Sequence, residues 1–131
     1  MFSMSDRPVV MVVEDDKEMN ELECELLQIH GMDSVPAYDG LQAVDQATKG
    51  HPDAVLLDIM LPEMDGFECC RQIRNLDGPN VPIILITALD NDSTREEGFR
   101  AGASAFFTKP FDPNEIVETL RILLEEAGST A

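Results

Sequence analysis

PVVMVVEDD, residues 8–16, decides the fold. The run 8–13 is too continuously apolar for a half-exposed strand and reads as a strand buried on both faces, the kind that parallel sheets use. Three acids, Glu14, Asp15 and Asp16, follow it directly. The segment 16–30 then places Met19, Leu22, Leu26 and Ile29 at helical spacing and stops at Gly31, predicting a helix.

The same alternation continues. A weaker strand over 33–37 precedes a helix from 39 to Gly50, with Leu41, Val44 and Ala47 on one side. DAVLLD, 53–58, is the next strand, and its apolar run ends on Asp58. A helix over 67–76 follows, with Asp65 as its cap. VPIILIT, 81–87, is an isoleucine-rich strand, and a short polar helix covers 92–101. SAFFT, 104–108, is a fifth strand. The last helix, 112–126, carries Asp112 as cap, Pro113 at its first position and Glu115 three residues after the cap. Its apolar face is Ile116, Leu120, Leu123 and Leu124. Five strand–helix pairs without a repeat predict an α/β fold, with parallel strands and helices on both sheet faces.

Composition sets limits. The chain has 131 residues, 44% hydrophobic and 27% charged, as expected of one soluble globular domain. Its 9 basic and 26 acidic residues give a net charge of −17. That is the wrong sign for direct nucleic-acid binding. No apolar run approaches the ~20 residues of a membrane span, and the start lacks the features of a signal peptide. Cytoplasmic localisation is the expectation. Cys24, Cys69 and Cys70 show no metal-ligand spacing and read as buried or half-buried thiols. His30 and His51 fall at helix ends.

In open parallel sheets the ligand site lies beyond the carboxyl ends of the strands. There the chain places Glu14, Asp15, Asp16 and Asp58, then Thr87, then Thr108 followed by Lys109. Each has an ordinary explanation taken singly: helix capping for the acids, a strand-end hydroxyl, a surface lysine. Together on one rim they make a carboxylate cluster that must be protonated or hold a cation. Hard oxygen ligands select magnesium or calcium over zinc. An aspartate nucleophile, a cation and phosphate donors suggest phosphoryl transfer onto Asp58, giving an acyl phosphate.

The pieces VVEDD, LLDIMLPEMDG, ILITA and FFTKPF, in this order and spacing, resemble the receiver domain of bacterial two-component response regulators. The resemblance implies a flavodoxin-like, doubly wound five-stranded parallel sheet of order 2-1-3-4-5 with five helices. It would span residues 8–126, between an N-terminal tail, 1–7, and a C-terminal tail, 127–131. It implies that Asp58 is the phosphoacceptor, that Asp15 ligates Mg2+ directly and Glu14 through water, and that Met60 offers its backbone carbonyl. Mn2+ could substitute. Thr87 and Lys109 would bind the phosphoryl oxygens, Thr87 and Phe106 would form the switch, and the Lys109-Pro110 peptide is a candidate for the cis form.

The implied phosphoryl donor is a sensor histidine kinase or histidine phosphotransfer protein. Helix 4, strand 5 and helix 5 would form the face for a homodimer, a target protein or an output domain. The protein would not be a turnover enzyme, although it would catalyse its own phosphorylation and dephosphorylation. Ser104 and Ala105 stand where the winged-helix members usually have two aspartates, which weighs against their salt-bridged dimer. Met60 and Leu89, two residues after Asp58 and Thr87, carry no acid or amide to position water, so slow dephosphorylation is expected. Met60 also weighs against an aspartate-nucleophile phosphatase, which needs a second acid there. The acidic loop after the first strand weighs against a flavin-phosphate site.

Overall fold

A computed structural model describes residues 7–77, 81–89 and 91–127 of the chain. The tails expected at 1–7 and 127–131 therefore lie, apart from Arg7 and Ala127, outside the described residues. The elements run β1 (Val9–Val13), α1 (Lys17–Ile29), β2 (Asp33–Ala37), α2 (Gly40–Gly50), β3 (Ala54–Asp58), α3 (Gly66–Asp77), β4 (Ile83–Thr87), α4 (Asp92–Ala101), β5 (Ala105–Thr108) and α5 (Pro113–Glu126). All strand pairs are parallel, in the order β2-β1-β3-β4-β5.

The continuous apolar runs are buried on both faces because the helices divide. Met11, Val13, Val55, Leu57, Ile83 and Leu85 pack with Ala43, Ala47, Cys69, Cys70, Ile73 and Ala101, from α2, α3 and α4. The alternate residues Val10, Val12, Leu56, Ile84 and Ile86 pack with Leu27 of α1 and Ile116, Val117, Leu120 and Leu124 of α5. A strand with period-two side chains between two apolar layers needs hydrophobic residues at every position.

Caps set the helix starts. Asp16, Asp39, Asn91 and Asp112 accept from the N–H groups of Met19, Gln42, Thr94 and Asn114. Asp65 Oδ1 accepts from Glu68 N–H at 2.8 Å. Each satisfies an amide that the first helical turn leaves without a partner.

Two helix faces differ from the sequence reading. On α1 the inward side is Asn20, Glu23 and Leu27, while Met19, Leu22 and Ile29 are exposed. On α2 the inward residues are Ala43 and Ala47, and Leu41 is exposed. The fourth strand starts at Ile83, two residues later than expected.

Candidate functional site at the carboxyl edge of the sheet

The chain leaves β1 for β2 on one side and then returns to β3 on the other. This makes the crevice beyond β1 and β3 the topological switch point. Glu14 and Asp15 leave β1 there, Asp58 ends β3, and Thr87 ends β4 beside Thr108 of β5. Lys109 follows, its backbone N–H donating to Thr87 O at 2.8 Å. The Lys109-Pro110 peptide is cis.

Lys109 joins the acids. Its Nζ donates to Asp58 Oδ2 at 2.8 Å and to Glu14 Oε1 at 3.0 Å. The second oxygen of each carboxylate is also engaged. Met60 N–H donates to Asp58 Oδ1 at 2.9 Å, and Asp16 N–H donates to Glu14 Oε2 at 3.2 Å. Asp58 and Glu14 are buried, whereas Asp15 is exposed at the mouth. Carboxylate oxygens of Glu14, Asp15 and Asp58 lie within 4.8 Å of one another, close enough to ligate one ion. A set made only of hard oxygen donors, two of them buried with one cationic neighbour, fits magnesium.

The electrostatics follow from burial. Desolvation pushes the Glu14 carboxyl up to about 7, and the Asp58 charge adds to it, against the lowering pull of the Asp16 N–H and Lys109. Burial works against the Lys109 ammonium, but its bonds to Asp58 and Glu14 outweigh that and raise its pKa.

Thr87 is fully buried, and its Oγ accepts from Leu89 N–H at 3.1 Å. Met60 and Leu89 are exposed beside the crevice. Phe106 is buried against Leu85 and Ala101. The Arg95 guanidinium lies 4.9 Å from its ring centroid, within cation–π range. Gly98 makes room for this packing: a Cβ there would stand 2.9 Å from Leu85 Cδ1 and 3.4 Å from the Phe106 ring.

Three supporting residues were not assigned a role from the sequence. Asn20 Nδ2 donates to the carbonyls of Val12, Glu14 and Ala37 at 3.1 to 3.2 Å, fixing the strand end that carries Glu14. Gly66 closes the loop after Asp58 through its N–H to Ile59 O at 2.9 Å, and a Cβ there would land on Ile59 Cα. Glu23 of α1 is buried with its pKa raised to about 7, first by desolvation and then by the charge of Glu14. The Asp-Gly pair at 65–66 was a readable signal for the turn. Asn20 and Glu23 needed the correct rotational phase of α1.

The comparisons with known proteins identify the family and the fold. Residues 10–121 match the family described as response regulator receiver domain. The chain is 40% identical over 119 residues to the response regulator MprA of Mycobacterium sp. (strain KMS), an alignment covering 91% of this chain and 51% of that protein. It thus spans about half the length of the curated relatives it matches.

Among solved structures, the BeF3-activated N-terminal receiver domain of Klebsiella pneumoniae RstA is 37% identical, with a TM-score of 0.82, covering 88% of this chain and 97% of that one. A CheY-like receiver domain protein from Methanospirillum hungatei JF-1 superposes with a TM-score of 0.89, covering 95% of this chain and 99% of that one. At 22% identity it speaks for the fold alone.

Proposed function

This chain belongs to the response regulator receiver domain family, and on that premise we propose that Asp58 accepts a phosphoryl group with the help of Mg2+. The receiver unit spans residues 8–126, and the donor is a phosphohistidine on a sensor kinase or phosphotransfer protein. The observation that carries this reading is the contact of Lys109 with both Asp58 and Glu14, beside the three-carboxylate cluster.

An oxygen of Asp58 bonds to phosphorus as the phosphorus–nitrogen bond of the donor breaks. The leaving imidazole keeps the electron pair and takes a proton from solvent. The carboxylate becomes a mixed anhydride, so the negative charge beside Lys109 moves outward onto the phosphoryl oxygens. Lys109 follows that charge as a compact ammonium, and Thr87 donates its hydroxyl to a second oxygen. Asp15 and Asp58, with the Met60 carbonyl and Glu14 through water, would hold the Mg2+; when bound, it offsets charge developing on the transferring group. Mn2+ offers the same coordination chemistry.

The Met60 N–H on Asp58 Oδ1 fixes the carboxylate plane, leaving little rotational freedom to lose on reaction. Met60 and Leu89 supply no group to activate water at the mouth. The product is therefore long-lived, and the domain is a switch, not a turnover enzyme. Thr87 and Phe106 pass the change to α4, β5 and α5, the face for a target, an output domain or a second copy. None of the helices among the described residues is long and apolar enough to cross a membrane, which supports a cytoplasmic setting. The charge of −17 supports a protein partner over nucleic acid.

The test is uptake of phosphoryl from acetyl phosphate, read by intact mass with and without Mg2+. One phosphoryl group is expected on the wild type with Mg2+, little without it, and none on Asp58→Asn. Uptake by Asp58→Asn at the wild-type level would remove the assignment.

A further inference from the structure

We propose that Met64 is a positioning residue: seated against Gly40 at the start of α2, it holds the loop that follows Asp58 and so sets how well the Met60 carbonyl of that loop can serve Mg2+.

The loop closes on one carbonyl. Ile59 O accepts from Leu61 N–H at 3.1 Å and from Gly66 N–H at 2.9 Å. Met60 sits inside this closure, its N–H on Asp58 Oδ1 at 2.9 Å and its side chain exposed. Further out, Met64 N–H donates to Pro62 O at 2.7 Å, a three-residue turn around Glu63 at φ +67. A turn of that kind with positive φ at its centre is strained, and a glutamate has no preference for the left-handed region. Such a conformation persists where the surrounding packing imposes it.

Met64 supplies that packing. Pro62, Glu63 and Asp65 are exposed, whereas Leu61 and Met64 are half-buried against the core layer that includes Ala43, Cys69 and Cys70. Met64 meets α2 at Gly40, its buried first residue, which follows the Asp39 cap. The Gly40 backbone is not left-handed, so glycine stands there for close approach. A Cβ on Gly40 would lie 2.9 Å from both Cβ and Sδ of Met64 and 3.2 Å from its Cγ. The clash at Met64 Cβ, next to the main chain, would push the loop itself and not a flexible tip. The Cys69 thiol of α3 approaches the Gly40 carbonyl at 4.0 Å. The start of α2 thus lies between the loop and α3, the helix that the loop leads into. The Ile59 closure fixes the two ends of the loop, and the Met64 seat fixes its outer part. The seat exists in the unmodified chain, and its bearing on Mg2+ rests on the phosphoacceptor reading.

Amide hydrogen exchange and Mg2+ titration of the whole, unmodified chain test the seat, both read residue by residue by NMR. Without metal, Met64→Ala should speed exchange of Met60, Leu61 and Gly66 about tenfold, the scale of one hydrogen bond. It should also weaken Mg2+ binding, followed by the amide shifts of Asp15 and Asp58, about tenfold, as lost support behind a metal ligand does. Gly40→Ala should produce the same two changes from the other side of the contact, and serves if Met64→Ala does not fold. Met64→Leu, which keeps the bulk, should stay close to wild type. Ala47→Gly loosens α2 at a buried position further along the helix. It should lower the urea midpoint and leave both the loop exchange and the Mg2+ affinity unchanged. Wild-type exchange at Met60, Leu61 and Gly66 in both Met64→Ala and Gly40→Ala overturns the seat, as do equal changes in Ala47→Gly. Faster exchange with wild-type Mg2+ affinity overturns the positioning role. A wild type that shows no Mg2+ shifts removes the metal from the site and from this role alike, whereas the exchange rates of the metal-free chain still decide on the seat.

Discussion

Lys109 Nζ stands 2.8 Å from Asp58 Oδ2 and 3.0 Å from Glu14 Oε1, so one ammonium from the loop after β5 is shared by acids at the ends of β3 and β1. Three chain segments far apart in sequence are joined by that contact. It offsets part of the negative charge of the crevice before any phosphoryl group or ion arrives.

Replacing Lys109 by Met keeps the aliphatic stem and removes the charge. Glu14 and Asp58 then face each other buried and uncompensated. The expected loss is about 2 kcal/mol of unfolding free energy, below the ~3–5 kcal/mol of a fully buried broken pair because Lys109 remains partly open to water. Urea unfolding measures it, and added Mg2+ should restore part of the loss in the variant. An unchanged midpoint would show that the ion pair contributes nothing to the fold.

Glu23 gives a pH dependence of definite sign. Its ordinary pKa of 4.5 rises to about 7 in the folded chain, mainly through desolvation. Below 4.5 both states hold the proton and nothing is lost. As pH rises through this window the unfolded chain gives up its proton first, so stability falls, and the loss is complete above 7. The full penalty is about 3 kcal/mol. Glu23→Leu should therefore gain more over wild type at pH 8 than at pH 5, measured by denaturant midpoints. An equal gain at both pH values would mean that the carboxylate pays no cost of burial.

Gly66→Ala should damage the site through the backbone. The added methyl meets Ile59 Cα, next to Asp58, and backbone cannot move aside as a flexible side chain can. A stability loss of about 1–3 kcal/mol is expected, together with reduced phosphoryl uptake. Retention of both would show that the loop after β3 relaxes freely.

The acyl phosphate should persist for minutes or longer, because the exposed Met60 and Leu89 cannot orient water. Leu89→Gln, which adds an amide at that rim, should shorten its half-life several-fold. Decay of the phosphoryl mass after donor removal gives the rate, and a wild-type half-life of seconds contradicts this expectation.

Much of the fold was legible because its signals are local. Doubly buried strands read as unbroken apolar runs, and the aspartate caps stand one residue before their helices. The strand ends then named Glu14, Asp15, Asp58, Thr87 and Lys109 before any coordinates, since a parallel sheet delivers them to one rim. The phase of α1 was not legible. Its inner face carries Asn20 and Glu23, where polarity argues for solvent, while Met19, Leu22 and Ile29 point outward. Asn20 is inside because it satisfies three backbone carbonyls of neighbouring strands, a tertiary demand that periodicity does not register. The packing of Phe106 beneath Arg95 and Gly98 depends on how α4 lies across β4 and β5. The Arg74 contact with Gly102 spans 28 residues and follows from the same arrangement.

The most direct measurement is reductive trapping of the phosphorylated protein. Borohydride converts an aspartyl phosphate into homoserine, and peptide mass spectrometry then locates that residue. After acetyl phosphate and Mg2+, homoserine is expected at position 58 alone. Homoserine at another aspartate with position 58 unmodified would contradict the assignment of Asp58.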